Sequence, residues 1–437
     1  MRMLARACAV LALVALAACS EEALKAGDDA AVAAAGDDAA VVAVGNDAST
    51  PSPDGGGALD SGGIDPGHPD GGQTLDAGSA HRTPIRPAYR GSVNGASEMT
   101  FVGQNIDLYL GTAPRATVDA IKSHQRTKAL YLFNLISVYS ADPHYDRVDQ
   151  EDLWWRDSEG HTIQHMAWGW RLVDIRKPAW RQLIKDVLTE QLQSYDGAVF
   201  DDAKILYLTD VTGEPVGYTH QVFYDAMQQV VQEVASAFPG KYFSVNGYRR
   251  SSQFSGMHYL DSASNLMFGD FTYRDGDGDM FVGRSALRTE MQDFVKVTSD
   301  LGKEAIFTDF GMSVDRFTRE FCFANYLLVA HPNAYYFFSS ADVPGAEYYP
   351  EYELDIGLPT GPFTETGDGL LVREFEKGKV ISNPTAEPVS TQVGSMEKVV
   401  LRGGGPVNAP GTLEWQAVSG TVELDTEDAL ILRQPGL

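Results

Sequence analysis

The sequence predicts an α/β fold, a (β/α)8 TIM barrel over residues 96–347, followed by a small C-terminal all-β, sandwich-like domain over residues 348–437. Strand-like and helix-like segments alternate from residue 101 to residue 339, and eight strand candidates match such a barrel in number and length. An open doubly wound sheet would show the same alternation. No G-x-G-x-x-G loop follows the first strand candidate, which favours the barrel.

The barrel strand candidates are short apolar runs separated by helical periods. They cover residues 101–110, 128–139, 171–174, 197–203, 242–246, 265–271, 305–309 and 334–339. After residue 348 the helical periods stop, and short runs separated by Gly and Pro predict the all-β domain. Its strand candidates cover residues 370–375, 380–383, 398–402, 412–418 and 429–433.

The N-terminus has the pattern of an export signal. Arg2 and Arg6 precede an apolar run that is too short to span a bilayer. The run ends L-A-A-C, with Cys19 last, which resembles the lipobox of bacterial lipoproteins and implies a lipid on the Cys19 thiol. An ordinary cleaved signal is the alternative. We expect a lipoprotein signal peptide over residues 1–18 and a lipoprotein of the bacterial cell envelope, at the outer membrane or the cell surface.

Residues 19–95 are predicted to be a flexible acidic tether. Between Ser20 and Ala80 the chain holds twelve acidic residues against Lys25 alone, a net charge of −11. Gly, Ala, Asp and Pro dominate this stretch, so it cannot bury enough apolar surface to offset its chain entropy. The net charge of −26 for the whole chain argues against a nucleic-acid partner. We expect a monomer that reaches the membrane only through its N-terminal lipid.

The fourth strand candidate ends in two adjacent carboxylates. Ala198, Val199 and Phe200 suit a strand that is buried on both faces, whereas ionised Asp201 and Asp202 cannot stay in that interior without partners. Both are therefore expected where the strand emerges, and in a barrel this C-terminal rim collects reactive side chains. We interpret at least one of them as catalytic. The alternative is that one caps the following loop and the other is solvated.

Polar side chains end several other strand candidates, and aromatic side chains accompany them. Carboxylates and amides hydrogen-bond sugar hydroxyls, and flat aromatic faces stack on sugar rings, although packing in the core or a loop is the alternative for each tryptophan. The candidate substrate-binding residues are Asn134, Trp168, Trp170, Asp174, Asp202, Asn246, Tyr273 and Asp309. The expected partner is therefore a carbohydrate.

Four segments carry a resemblance to a known group of proteins. They are 154–160 (W-W-R-D-S-E-G), 170–174 with the following Pro178, Trp180 and Arg181, 195–201 (Y-D-G-A-V-F-D) and 373–384 (R-E-F-E-K-G-K-V-I-S-N-P). In order and spacing they resemble bacterial TIM-barrel glycoside hydrolases, including relatives of endo-α-1,4-polygalactosaminidase. The resemblance implies a sugar-cleaving barrel in which Asp201 is one catalytic carboxylate. Asp202 stands where these proteins more often have Asn.

Cleavage of a glycosidic bond usually needs a second carboxylate. In related barrels it often lies at the end of the sixth strand, where this chain has Gly269, and Asp270, one position later, is the candidate acid. A shift of one residue turns a strand side chain to the opposite face unless a bulge at Gly269 corrects it. Asp309 on the seventh strand is the reserve candidate.

Two hypotheses follow. The first is a lipid-anchored glycoside hydrolase that acts on a poly- or oligosaccharide. The second is a catalytically inactive carbohydrate-binding lipoprotein with the same barrel. The second is favoured by Gly269, which stands where related barrels often have the catalytic acid. No cofactor is expected. Residues 275–279 (D-G-D-G-D) imitate the start of a calcium loop, but Met280 and Ala286 occupy positions where that loop has Gly and Glu. A solvated acidic turn is the expectation, and no metal site is predicted.

Overall fold

The computed structural model describes residues 85–166, 168–203, 208–248, 259–260, 263, 265–269, 272–274 and 280–437. The signal peptide, Cys19 and the predicted tether up to residue 84 lie outside the described residues. So do Asp270 and the calcium-like stretch 275–279. What was predicted for these segments stays a prediction.

Eight parallel strands form the barrel sheet, and each pairs with the next along the chain. They are β1 Ala88–Arg90, β2 Leu108–Gly111, β3 Lys128–Asn134, β4 Gly197–Asp201, β5 Tyr242–Asn246, β6 Asn265–Phe268, β7 Glu304–Gly311 and β8 Ala334–Ser340. A parallel bridge between Pro87 and Tyr336 joins the first strand to the last, and the Tyr336 amide donates to the Arg86 carbonyl at 3.0 Å. The predicted (β/α)8 barrel is confirmed.

The barrel begins earlier than the sequence predicts. β1 lies inside the stretch predicted to be tether, and the segment predicted as the first strand, 101–110, starts in a helix that ends at Asn105. The predicted third strand is also wrong, because Arg171–Leu172 pairs antiparallel with Ser137–Val138 in a separate two-stranded sheet. One barrel strand was missed and one was wrongly predicted, so the total of eight is unchanged. The segments predicted as the fourth, sixth and seventh strands are therefore β4, β6 and β7 of the structure.

Helices alternate with the strands. They are α1 Ala96–Asn105, α2 Arg115–Lys122, α3 Tyr145–Gln150, α4 Pro178–Gln191, α5 His220–Ala237, α6 Arg284–Val295 and α7 Arg316–Val329. The buried residues of α5 include Phe223, Met227, Val230 and Val234, which recur every three or four positions and so lie on one face of the helix. In the described part of the chain, no helix has the length and apolar character needed to cross a bilayer.

The C-terminal domain is built on a six-stranded antiparallel sheet. Its strands are β9 Thr364–Glu365, β10 Leu371–Phe375, β11 Gly378–Asn383, β12 Val389–Arg402, β13 Thr412–Leu424 and β14 Asp428–Arg433, arranged in the order β9-β10-β11-β14-β12-β13. Val380 and Ile431 join the main core, which includes α7, whereas Ile381, Leu432 and Val393 form a second apolar cluster. Alternate residues of one sheet are thus buried on both faces, in keeping with the sandwich-like character that was predicted.

Arg319 of α7 ties the barrel to the C-terminal domain. Its guanidinium forms a bidentate ion pair with Glu351, at 2.9 and 2.8 Å, and donates to the Gly403 carbonyl at 2.8 Å. Both charged side chains are 1% exposed. A buried arginine–carboxylate pair with further hydrogen bonds holds its neighbours in one fixed arrangement, because breaking it would leave an uncompensated charge inside the protein.

Candidate active site

Polar side chains of the neighbouring strands β3, β4 and β5 point into the C-terminal end of the barrel, which we call the mouth. Phe133 of β3 packs on Trp180 of α4 and therefore faces the helices. Since side chains alternate along a strand, the next residue, Asn134, points into the barrel. Asp201 is the register partner of Asn134 and shares its face. Asn246, the last residue of β5, reaches the same carboxylate from the other side.

The Asp201 carboxylate is held by three donors. Arg90 Nη2 lies 2.8 Å from Oδ2, Asn246 Nδ2 lies 2.6 Å from Oδ1, and the Asp202 amide lies 3.1 Å from Oδ1. The Asp201 side chain is 14% exposed and that of Arg90 is 28% exposed. Together these hydrogen bonds fix the orientation of the carboxylate. The ion pair lies within the mouth, because Asp201 shares the inward face of its strand.

Arg90 was missed by the sequence analysis. It is the last residue of β1, which was predicted to be tether. The apolar residues that precede it, Ile85, Ala88 and Tyr89, are all buried and are the signal that could have revealed a short strand. A three-residue strand between Pro87 and Gly91 falls below the length at which alternation can be recognised.

Asp202 has an unusual backbone conformation. Its φ of 54° is in the left-handed region, which non-glycine residues seldom occupy. Asn134 Nδ2 donates to Asp202 Oδ2 at 2.7 Å, and Asn134 Oδ1 accepts from the amides of Ile136 and Ser137 at 3.0 Å each. Asn134 therefore links the end of β3 to Asp202. Aspartate is among the residues that adopt this region most readily, and the hydrogen bond from Asn134 holds its side chain in place.

Gly269, which follows β6, lies beside Asn246. A Cβ atom added at Gly269 would lie 3.4 Å from Asn246 Oδ1. The candidate acid Asp270 follows directly, outside the described residues. Tyr273 lies in a short antiparallel pair of strands, Tyr273–Arg274 with Met280–Phe281, and the prediction that its side chain binds substrate stays a prediction.

Asp309 does not reach the mouth. Its side chain is fully buried, with Oδ1 2.7 Å from the Thr272 amide and Oδ2 3.1 Å from Thr272 Oγ1. Phe307, two residues earlier on the same face of β7, packs on Phe294 of α6 and Tyr326 of α7, so this face meets the helices. The predicted rim position of Asp309 is corrected here: β7 continues to Gly311, and Asp309 lies within the strand instead of at its end.

Asp174 is also placed differently from the prediction. Its carboxylate forms a bidentate ion pair with Arg176, at 2.7 and 2.8 Å, and its side chain is 12% exposed. The Arg176 guanidinium lies 4.8 Å from the centre of the Trp155 ring. Asp174 follows the separate strand Arg171–Leu172 and not a barrel strand, so it belongs to the packing of the loop between β3 and α4.

Exposed aromatic side chains lie in that same loop. Trp168 is 60% exposed and Tyr139 is 45% exposed. Their rings flank Trp170, with centroid separations of 6.1 Å and 5.9 Å. These three side chains, which we call the aromatic platform, present apolar ring surface to solvent in a segment that starts from the mouth end of β3. Flat, exposed rings of this kind suit the apolar face of a sugar.

No group of three or more His, Cys, Asp or Glu side chains in the described part of the chain is arranged to hold a metal ion. The one cysteine among the described residues, Cys322 of α7, is buried. Burial raises the pKa of its thiol, and the nearby Asp309 adds to that effect. A thiol that stays protonated is a poor nucleophile and a poor ligand.

Comparison with known proteins gives similarity at low identity. No protein-family model matches the sequence, and no curated protein matches it. Among solved structures, the chain is similar to the glycoside hydrolase domain of PelA from Pseudomonas aeruginosa, with 13% identity over 59% of this chain and 94% of that one and a TM-score of 0.44. It is similar to an α-amylase from Geobacillus thermoleovorans, with 11% identity over 81% of this chain and 97% of that one and a TM-score of 0.42.

A third neighbour is the maltogenic α-amylase AmyB from Thermotoga neapolitana, with 10% identity over 80% of this chain and 99% of that one and a TM-score of 0.44. All three neighbours are glycoside hydrolases. Similarities at this level of sequence identity and TM-score do not assign an activity to this chain. The feature that bears on its function is the arrangement of side chains around Asp201 in the mouth of the barrel.

Proposed function

We propose that this chain is a glycoside hydrolase in which Asp201 is a catalytic carboxylate. The observation that carries the proposal is the position of Asp201: it ends β4, faces the mouth, and is oriented by Arg90 at 2.8 Å and Asn246 at 2.6 Å. A carboxylate that is oriented and partly accessible to solvent is what the nucleophile or general base of glycosidic cleavage requires.

Two mechanisms fit this carboxylate. As a nucleophile, Asp201 would attack the anomeric carbon while an acid protonates the departing oxygen, and water would then hydrolyse the glycosyl ester. As a base, it would take a proton from the water that attacks the same carbon. In both, Arg90 and Asn246 keep the carboxylate in place, and Asp270 is the proposed acid.

The finer proposals concern substrate and location. The aromatic platform supports a poly- or oligosaccharide substrate, since it places two indole rings, those of Trp168 and Trp170, with centroids 6.1 Å apart beside the exposed ring of Tyr139. The four sequence segments support a relationship to the polygalactosaminidase-like group. The L-A-A-C sequence that ends at Cys19 supports a lipid anchor at the bacterial envelope.

The test is hydrolysis of a broad panel of glycans by the wild type, Asp201→Asn and Asp119→Asn. Asp119 lies on α2 with a side chain 55% exposed, so its substitution controls for the loss of one negative charge. We expect at least one glycan to be cleaved by the wild type and by Asp119→Asn, with a loss of about 10³-fold or more in Asp201→Asn. Cleavage retained in Asp201→Asn would exclude the proposed role.

A catalytically inactive carbohydrate-binding protein is the second candidate. The Arg90 ion pair favours it, because both Asp201 oxygens already have partners and such a pair also serves a purely structural role. This candidate predicts saturable binding of a glycan that Trp168→Ala abolishes, with no cleavage products from any glycan after prolonged incubation.

A further inference from the structure

A cavity of about 340 Å³ lies beside the C-terminal ends of α6 and α7, which lead into the starts of β7 and β8 and are therefore at the end of the barrel opposite the mouth. It is partly open to solvent and is bordered by the π-helical turn Lys296–Asp300 that extends α6, by the C-terminal end of α7 and by the segment around β9 and β10. Leu328, Val329 and Phe363 supply apolar walls. A volume of this size accommodates a small organic molecule.

Arg373 of β10 lines this cavity and has an incomplete set of partners. Its Nε donates to the Gly361 carbonyl at 2.9 Å, and its Nη1 donates to the carbonyls of Leu327 and Ala330 at 3.0 Å each. The two Nη1 bonds cap the end of α7, whose dipole offers only about half a negative charge. Among the described residues no carboxylate forms an ion pair with it, and burial lowers the pKa of Arg373 to about 10.

Two further basic side chains, Lys296 and His331, line the same cavity. Lys296 is exposed and forms no ion pair within the described chain. Burial, together with Arg373, lowers the pKa of His331. Its Nδ1 accepts from the Asn333 amide at 3.1 Å, so in the neutral ring Nε2 carries the proton and can donate. Asp300 is the one acidic residue of the lining.

The cavity therefore has a local excess of positive charge in a chain whose net charge is −26. Capping of α7 explains two of the three Arg373 hydrogen bonds but not the largely apolar space beside it. An anion would supply the countercharge that the partly buried guanidinium lacks.

We propose that this cavity binds a small anion that carries an apolar group. Its carboxylate or phosphate would meet Arg373 and Lys296, and its apolar part would pack on Leu328 and Phe363. The site is at the opposite end of the barrel from Asp201, so the proposal stands independently of the hydrolase activity.

The experiment is calorimetric titration of the full chain with phenyl phosphate, phenylacetate and, as the neutral control, benzyl alcohol. We expect saturable binding of at least one of the two anions, with a Kd of about 1 mM or tighter, and none of benzyl alcohol. The two anions distinguish a phosphate site from a carboxylate site. Lys296→Glu should weaken binding at least about tenfold, because it reverses a charge at the lining.

Lys185→Glu is the matched control, since Lys185 lies on α4 and also forms no ion pair within the described chain. It should bind as the wild type does. Arg373→Lys, with its fold checked by circular dichroism, should also weaken binding, because lysine cannot reproduce the planar set of donors. No saturable binding of either anion, or equal affinity in Lys296→Glu and the wild type, would overturn the proposal.

Discussion

The contact between Arg90 and Asp201 joins residues 111 positions apart in the sequence. It exists because β1 and β4 both end at the mouth, so an inward side chain from one strand can reach across to the other. Asp201 and Asn246 could be predicted from sequence because each ends an apolar strand. Arg90 could not, because its importance depends on which strands face each other and not on its own neighbours.

At the scale of single residues, Arg90→Met tests whether the guanidinium positions Asp201 for catalysis. We expect kcat on a cleaved glycan to fall about 100-fold, the cost typical of a misplaced reacting group, with KM changed much less. Arg90→Lys should recover part of the loss because it keeps the charge. Steady-state kinetics of the three proteins measure this.

Arg126→Met is the matched control for that experiment. Arg126 also pairs with an aspartate, Asp107, with Nε 3.1 Å from Oδ1, but both precede barrel strands and so lie at the end opposite the mouth. Its loss should lower stability without changing kcat. An equal fall of kcat in both variants would mean that Arg90 acts only through general stability.

Among the elements of the fold, the long strands and helices were predictable and the shortest strand was not. β3 and β8 are seven-residue apolar strands, and the local sequence pattern is sufficient to predict them as strands. β1 has three residues, and its extended form is stabilised by pairing with β2 and β8, which a local pattern does not reveal. The misplacement of Asp309 has a similar cause, because β7 runs two residues beyond the predicted end.

Gly197 fixes the distance between β4 and β5 and thereby the relation of Asp201 to Asn246. A Cβ atom at this position would lie 1.7 Å from the Tyr242 carbonyl oxygen, which no small adjustment relieves. We expect Gly197→Ala to lower the free energy of unfolding by about 3 kcal/mol or more. Urea unfolding measures it.

Gly367→Ala is the control, since nothing lies within 4 Å of a Cβ atom there. Its free energy of unfolding should change by less than about 0.5 kcal/mol. A near-neutral Gly197→Ala would show that the two strands are not held at the spacing seen here.

At the scale of the whole molecule, we expect stability to depend on pH through carboxyl groups whose pKa burial raises, among them Glu347 and Glu320. Burial raises the pKa of Glu347, just after β8, to about 7, and burial with the nearby Asp428 raises the pKa of Glu320 on α7 to about 8. Above the ordinary glutamate pKa the folded chain retains protons that the unfolded chain has lost. The free energy of unfolding should therefore fall as pH rises from about 5 to 8.

Glu320→Gln removes one of these groups, so the decline between pH 5 and pH 8 should become shallower. Urea unfolding at several pH values measures the slope in both proteins. An unchanged slope in the variant would show that Glu320 does not carry the proton difference.

The most direct test of the catalytic role of Asp201 is chemical rescue. Asp201→Gly would remove the carboxylate and leave space beside Arg90 and Asn246, into which azide fits. With an aryl glycoside of the sugar that the wild type cleaves, azide should raise the rate of Asp201→Gly about tenfold or more and yield a glycosyl azide. Asp202→Gly, in which Asp201 remains, should not respond to azide. Absence of rescue in Asp201→Gly, or equal rescue in the two variants, would contradict the assignment.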